Sequence, residues 1–279
     1  MDMFNSNHET TDANPIRPLG KAVAALVLGL TGLCASPTDV GAQETTQDYT
    51  VPDSGWNWVV APYAWMSGLS GQVGVVSGVP PTDIDLPFSD ILKNLDMTGM
   101  IVAHANNGRF GVSGDLQYYK LSGSNTSQAP NISQVDVRVE NTIVTLTGDY
   151  LVSSGPDHEL WAQAGLRYWR VVNDLTVFRT APPPVLSGAS SNSWVDPLIG
   201  MRGRKRIAEN TYLSGWAYFG GFGAGSEEMY DLFGGIGYQF TDTTSGVFGY
   251  RWMSVDRVDG GFIYDTVQKG PLLGVVFRF

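Results

Sequence analysis

The sequence predicts an all-β fold, a closed antiparallel up-and-down transmembrane β-barrel, and three observations predict it. First, only 16% of the 279 residues are charged, against about a quarter in ordinary soluble domains. Yet mean hydropathy is −0.06, and no apolar run outside the N-terminal region approaches the roughly 18 residues a membrane helix needs. Second, apolar and polar residues alternate along segment after segment, the period of a strand with two differently solvated faces. No helical pattern of useful length competes with it. Third, the stretch 270–279 (GPLLGVVFRF) puts Leu273, Val275, Phe277 and Phe279 on one face and Leu272, Gly274, Val276 and Arg278 on the other. The last residues of soluble domains are usually frayed and polar. An aliphatic and aromatic face carried to Phe279 calls for an apolar surrounding, which lipid supplies.

Taken in order, the chain opens on an expected leader. Arg17 and Lys21 precede twelve mostly apolar residues, 22–33 (AVAALVLGLTGL), and small residues follow up to Val40-Gly41-Ala42. Positive, apolar and small-residue segments in that order read as a secretory signal peptide over 1–42, removed after Ala42. The acidic, polar stretch before Arg17 is longer than such leaders usually carry. Cys34, the only cysteine, lies inside that segment, so the processed chain has no disulfide and no thiol-based metal site. A lipid anchor there would need a small residue before Cys34, and Leu33 stands there.

Residues 43–55 form a polar lead and 56–279 the barrel. The segment 56–66 (WNWVVAPYAWM) is aromatic and β-branched, hence a strand, with Pro62 at a bulge or edge position. A long insert follows, with a small hairpin expected from 71–76 and 82–86 and one or two helical turns over 89–95 capped by Ser89. Strands 97–106 and 110–121 flank Asn107-Gly108, two residues that tolerate positive φ and so mark a hairpin. Strand 134–152 alternates cleanly in its second half, but Asp136, Arg138 and Glu140 have the opposite parity. That predicts a bulge near Asn141 or a section standing in water. Strands 160–178, 193–207, 211–222, 228–240, 246–258 and 262–279 complete a count of about ten, with eight or twelve left open by one hairpin either way. Connections at 107–108, 153–159, 208–210 and 241–245 are short, and most of those between them are longer. Short turns on one side and longer loops on the other is the bacterial barrel pattern, the short side facing the periplasm. Unpaired backbone in hydrocarbon is costly, so the first strand must pair with the last. Trp56, Trp58, Phe110, Tyr150, Trp161, Tyr212, Tyr238, Phe240, Phe248, Tyr250, Phe277 and Phe279 fall near the short-turn ends as an interfacial girdle. Trp161 and Tyr212 do not hold the outward parity, which leaves packing inside the barrel open for them.

The ending resembles the C-terminal strand of Gram-negative outer-membrane β-barrels. The segments APYAW (61–65), FSDIL (88–92) and VDPLIGMRG (195–203) resemble a group of proteobacterial outer-membrane barrel proteins, porin-like and of unassigned function. The resemblance implies location in the outer membrane, contact with its lipid, and recognition of Leu273, Val275, Phe277 and Phe279 by the barrel assembly machinery. It carries no catalytic residues.

Inward parity assigns Asp115, Asp149, Arg167, Asp196, Arg202, Asp231 and Arg251 to the lumen. In a narrow barrel these read as a plug-like polar network in preference to a substrate pathway. The run Arg202, Arg204, Lys205 and Arg206 is expected to meet headgroups or to line the lumen. A net charge of −10 argues against nucleic acid as a partner. No metal spacing is present, and no cofactor is expected. The glycines 220, 221, 223 and 225 mimic a phosphate loop, but no helix follows. Of His8, His104 and His158, only His104 lies in a strand, on the short-turn side, where a lumen hydrogen-bonding role is the plainer reading. Three functions remain: a structural or narrow-channel outer-membrane barrel whose loops bind an unknown solute or partner, a membrane-embedded lipid or peptide hydrolase, and a soluble periplasmic lipocalin-like barrel.

Overall fold

A computed structural model describes residues 55–74, 82–126, 132–180 and 185–279. Every described residue belongs to one compact unit, Gln47–Phe279. The expected leader, and all but the last residue of the polar lead, lie outside the described residues.

The strands are β1 (Asn57–Trp65), β2 (Gly68–Gly74), β3 (Thr82–Leu86), β4 (Leu95–Asn106), β5 (Phe110–Thr126), β6 (Ile132–Ser154), β7 (His158–Arg179), β8 (Val185–Ala208), β9 (Thr211–Gly221), β10 (Glu228–Gln239), β11 (Thr244–Asp259) and β12 (Phe262–Arg278). One short helix, α1 (Phe88–Lys93), follows β3. β1 and β4 to β12 pair antiparallel in chain order, and β12 returns to β1 from Val59↔Arg278 to Trp65↔Leu272, closing a ten-stranded barrel. Closure removes every sheet edge within the ring, the only state of a sheet that lipid tolerates. After a step at Met66 and Ser67 the chain continues as β2 along the upper part of β12, and β3 pairs with β2. At that step the Met66 N–H donates to the Pro271 carbonyl at 2.8 Å. A Cβ on Gly270 would run into the Met66 carbonyl, so β1 can cross β12 there only over a glycine.

Side chains sort by parity as the pleat requires. On β6, Asn141, Ile143, Thr145, Thr147 and Asp149 are buried, while Val144, Leu146 and Tyr150 are exposed. Leu146 is 59% exposed and its neighbour Leu166 on β7 55%. Ile199, Ile236, Phe248, Leu273 and Phe279 extend the same surface around the ring. Soluble monomers rarely show water an apolar belt that runs around the molecule in this way. Lipid on the outside and side chains inside account for both faces at once, so this is a membrane-spanning barrel.

The belt has a sharp upper edge. Lys120, Glu140, Arg170 and Ser193 take outward positions at neighbouring register points of β5 to β8. Above that line the outer face turns polar. Asp136, Arg138 and Glu140 therefore lie on strand standing in water. No bulge occurs near Asn141, for the β5–β6 register runs unshifted from Phe110↔Tyr150 to Thr126↔Gln134. The register shifts sit instead at residues 95–97, 132–134, 151–153 and 206–208.

Other differences from the expectations have equally local causes. β8 begins at Val185, so the serine-rich stretch expected as loop is strand. Both its faces meet a polar surrounding, and no alternation announces it. β5 and β6 likewise absorb the ends of the expected 122–133 loop. Helix α1 starts after Pro87, without a side-chain cap; Ser89 lies inside it and donates to Asp90 at 3.4 Å. Pro62 sits in regular register opposite Ile101, on the outward face. Trp161 and Tyr212, each 3% exposed, point into the barrel and leave the girdle to the other ten aromatics, all of them exposed.

Candidate functional site

The lumen is filled in layers. Midway, Asp231 on β10 joins two arginines. Arg167 Nη2 donates to it at 2.6 Å, Arg251 Nε and Nη2 at 2.9 and 2.7 Å, and Trp216 Nε1 at 3.2 Å. Arg251 Nη2 also donates to Asp115 at 2.9 Å, and Tyr63 OH donates to the other Asp115 oxygen at 2.7 Å. Arg167, Asp231 and Arg251 are fully buried. Side chains from β1, β5, β7, β10 and β11 thus meet across the axis, and the charges are matched within the cluster.

Above this layer the barrel is apolar and aromatic. Trp169 and Trp194 stack at 5.6 Å with an interplanar angle of 10°. Phe262, Tyr264, Met229, Met253 and Val255 pack in the same cluster. Asp196 accepts from Trp169 Nε1 at 2.7 Å and from the backbone N–H and hydroxyl of Ser226 at 2.6 and 2.8 Å. Ser226 belongs to the β9–β10 connection, which folds inward over this end of the lumen. Gly225 makes that approach possible, since a Cβ there would meet the Val195 carbonyl and the Asp196 carboxylate. The glycines resembling a phosphate loop thus serve a tight return. Gly221 and Gly223 take positive φ, as does Phe222 between them.

Below the ion cluster lies a second polar group. His104 Nδ1 is 2.9 Å from Ser113 Oγ and 3.0 Å from Asp149 Oδ2, and Ser113 also donates to that carboxylate. His104 Nε2 is held by Asn106 Nδ2 at 3.1 Å. Gln163 Nε2 donates to Asp149 at 2.9 Å, and Tyr218 OH donates to Gln163 Oε1 at 2.9 Å. A hydrolase relay needs serine on one imidazole nitrogen and the carboxylate on the other. Here both share Nδ1, and Asn106 occupies Nε2. The arrangement ties β4, β5 and β6 together and differs from that relay.

The remaining space opens at the short-turn mouth. A cavity of about 450 Å³ is lined by Arg202, Arg204, Arg206, Arg278, Glu159 and His104, among others, and continues inward into a smaller one of about 130 Å³ reaching Asp115. Arg202, Arg204 and Arg206 share the inward parity of β8, and Lys205 has the other. Arg204 lies over the Tyr212 ring at 3.9 Å and Arg278 at 5.6 Å. At the rim, Asp157 is hydrogen-bonded to His158 Nδ1 at 3.0 Å. That bond holds its carboxyl below the usual range. The stability it adds is therefore present above the ordinary carboxylate pKa and fades as pH falls through the lowered value, and it is small for so exposed a pair.

The structure brings Asp115, Arg167, Asp231 and Arg251 into one cluster. Asp149 lies in the His104 group, Asp196 under the β9–β10 connection and Arg202 in the vestibule. Tyr63, Ser113, Gln163 and Arg278 were not singled out for roles in the sequence, although inward parity marks each of them. Among the described residues no group of His, Cys, Asp and Glu could hold a metal ion.

No protein-family model matches the chain, and no curated protein matches it in sequence. Among solved structures it is similar to the outer-membrane protease OmpT from Escherichia coli, with 12% identity and a TM-score of 0.47 over 80% of this chain and 96% of that one. It is also similar to the translocator domain of the autotransporter NalP from Neisseria meningitidis, with 14% identity and a TM-score of 0.44 over 93% and 98%. The transport unit of the autotransporter AIDA-I from Escherichia coli matches at 10% identity and a TM-score of 0.41 over 95% and 100%.

Proposed function

We propose that the chain is an integral β-barrel of a Gram-negative outer membrane, acting as a sealed structural wall with a solute vestibule and not as an open pore. The observation that carries this is the filled cross-section. The Arg167, Asp231, Arg251 and Asp115 cluster spans the lumen, and the Trp169–Trp194 layer lies over it. Water or solute crossing the barrel would have to part both layers. The belt around Leu146 and Leu166 weighs against a soluble lipocalin-like barrel, and the shared Nδ1 of His104 weighs against a hydrolase.

Conductance tests the seal. In planar bilayers the folded protein should give no recurring single-channel steps across the usual voltage range. Regular steps from the unmutated protein would mean that the plug opens, and the narrow-channel reading would replace the structural one.

The same proposal assigns residues 1–42 to export and the outward face of β12 to recognition by the assembly machinery. Phe279→Ala should reduce the folded, heat-modifiable form recovered from cell envelopes while leaving refolding into detergent micelles unchanged. Equal recovery from envelopes would remove Phe279 from that role.

A further inference from the structure

We propose that the vestibule is a binding site for a small oxyanion, phosphate or carboxylate, held by Arg202 and Arg278 and entered from the short-turn mouth. Where the two cavities meet, the shared lining is Val59, His104, Glu159, Arg202, Arg204 and Arg278. Three guanidinium groups there face one carboxylate, in a chain whose net charge is −10. Asp157, Asp242 and the terminal carboxylate of Phe279 line only the outer cavity and Asp115 only the inner one; Asp157 is engaged by His158, Phe279 by the Trp58 N–H and Asp115 by Arg251.

Arg202 Nη1 and Arg278 Nη1 are buried and have no hydrogen-bond partner among the described residues. Neither guanidinium forms an ion pair with a described carboxylate, in contrast to Arg167 and Arg251 in the layer above. A buried donor left unmade is costly, and a charged one more so. A planar guanidinium is satisfied best by an oxyanion that takes two parallel N–H bonds.

The geometry is built for this. Arg278 projects across the lumen from β12 to Tyr212 on β9, over Gly237 of β10, where a Cβ would strike the Tyr212 ring. Tyr212 is fixed by Ser245 Oγ at 2.8 Å. Arg278 therefore shares one anchored ring with Arg204, and Arg202 lines the same two cavities, with open volume between these side chains and the mouth. At about 450 Å³ that volume falls in the range of small-molecule sites, roughly 300–1,000 Å³. The ion cluster closes the inner end, so the site is a blind pocket. It depends on the vestibule alone and stands whether or not the plug conducts.

The test is calorimetric titration of inorganic phosphate, and separately of succinate, into the folded full-length barrel in phosphatidylcholine bilayers, with chloride at equal ionic strength as control. Saturable binding of either oxyanion is expected, about tenfold or more weaker in Arg202→Gln and in Arg278→Gln, the loss of one charge-assisted bond. Lys93→Gln, on the exposed helix α1, should bind as the unmutated protein does. Gel heat-modifiability reports the fold of each variant, and should Arg202→Gln not fold, Arg278→Gln carries the comparison alone. No saturable binding of either probe, or equal binding in the arginine variants, overturns the proposal.

Discussion

Asp231→Ala should abolish the folded barrel or lower its stability by about 3–5 kcal/mol, the loss expected when one partner of a buried ion pair is removed. The reason is geometric. Asp231 accepts from both Arg167 and Arg251 within 2.9 Å, and both guanidinium groups are fully buried. Without it, Asp115 is the one carboxylate left in the cluster, and of the two arginines it reaches only Arg251. Arg167 would then keep Thr145 Oγ1 and two methionine sulfurs as partners, none of which balances a charge. Replacing the pair together, Asp231→Leu with Arg167→Met, should recover much of the loss, because a matched apolar pair leaves no stranded ion. The urea midpoint of unfolding in detergent micelles checks both variants. A single variant as stable as the parent would mean that water reaches the cluster, and the seal would be absent.

Leu146→Arg and Leu166→Arg come second in expected effect. The two positions are register partners on the outward face, near the middle of the belt. If that face lies in hydrocarbon, each arginine costs about 2–4 kcal/mol. In water the same exposed positions would tolerate the change within about 0.5 kcal/mol. Ser191→Arg, on the outward face of β8 above the belt, should be close to neutral in either case. Refolding into phosphatidylcholine vesicles over a urea series separates the outcomes. Near-neutral values for both leucine variants would argue for a barrel in water.

Much of this fold was legible because lipid imposes a strict code. Where the outer face meets hydrocarbon, as from Val144 to Tyr150, every second residue is apolar and the parity can be read directly. The code weakens where both faces are polar. That is why the serine-rich start of β8 looked like loop and why the parity of Asp136, Arg138 and Glu140 suggested a bulge. Trp161 and Tyr212 show a second limit: large aromatics suit both an interfacial girdle and a filled lumen, and composition does not separate the two. Inward parity assigned seven charged residues to the lumen but could not pair them, since partners such as Arg251 and Asp115 lie 136 positions apart and meet only through closure of the ring. The vestibule was half visible, as the basic run on β8. Arg278 joins it from the other end of the chain by crossing the lumen.

The most direct check is spin-label accessibility along β6, one cysteine at a time, in phosphatidylcholine bilayers with Cys34 replaced by serine. The belt predicts that labels at Val144, Leu146 and Tyr150 collide with dissolved oxygen and are shielded from a water-soluble nickel chelate, while labels at Asp136 and Arg138 show the reverse. Labels at Val144, Leu146 and Tyr150 as open to the chelate as those at Asp136 and Arg138 would contradict a membrane-spanning barrel.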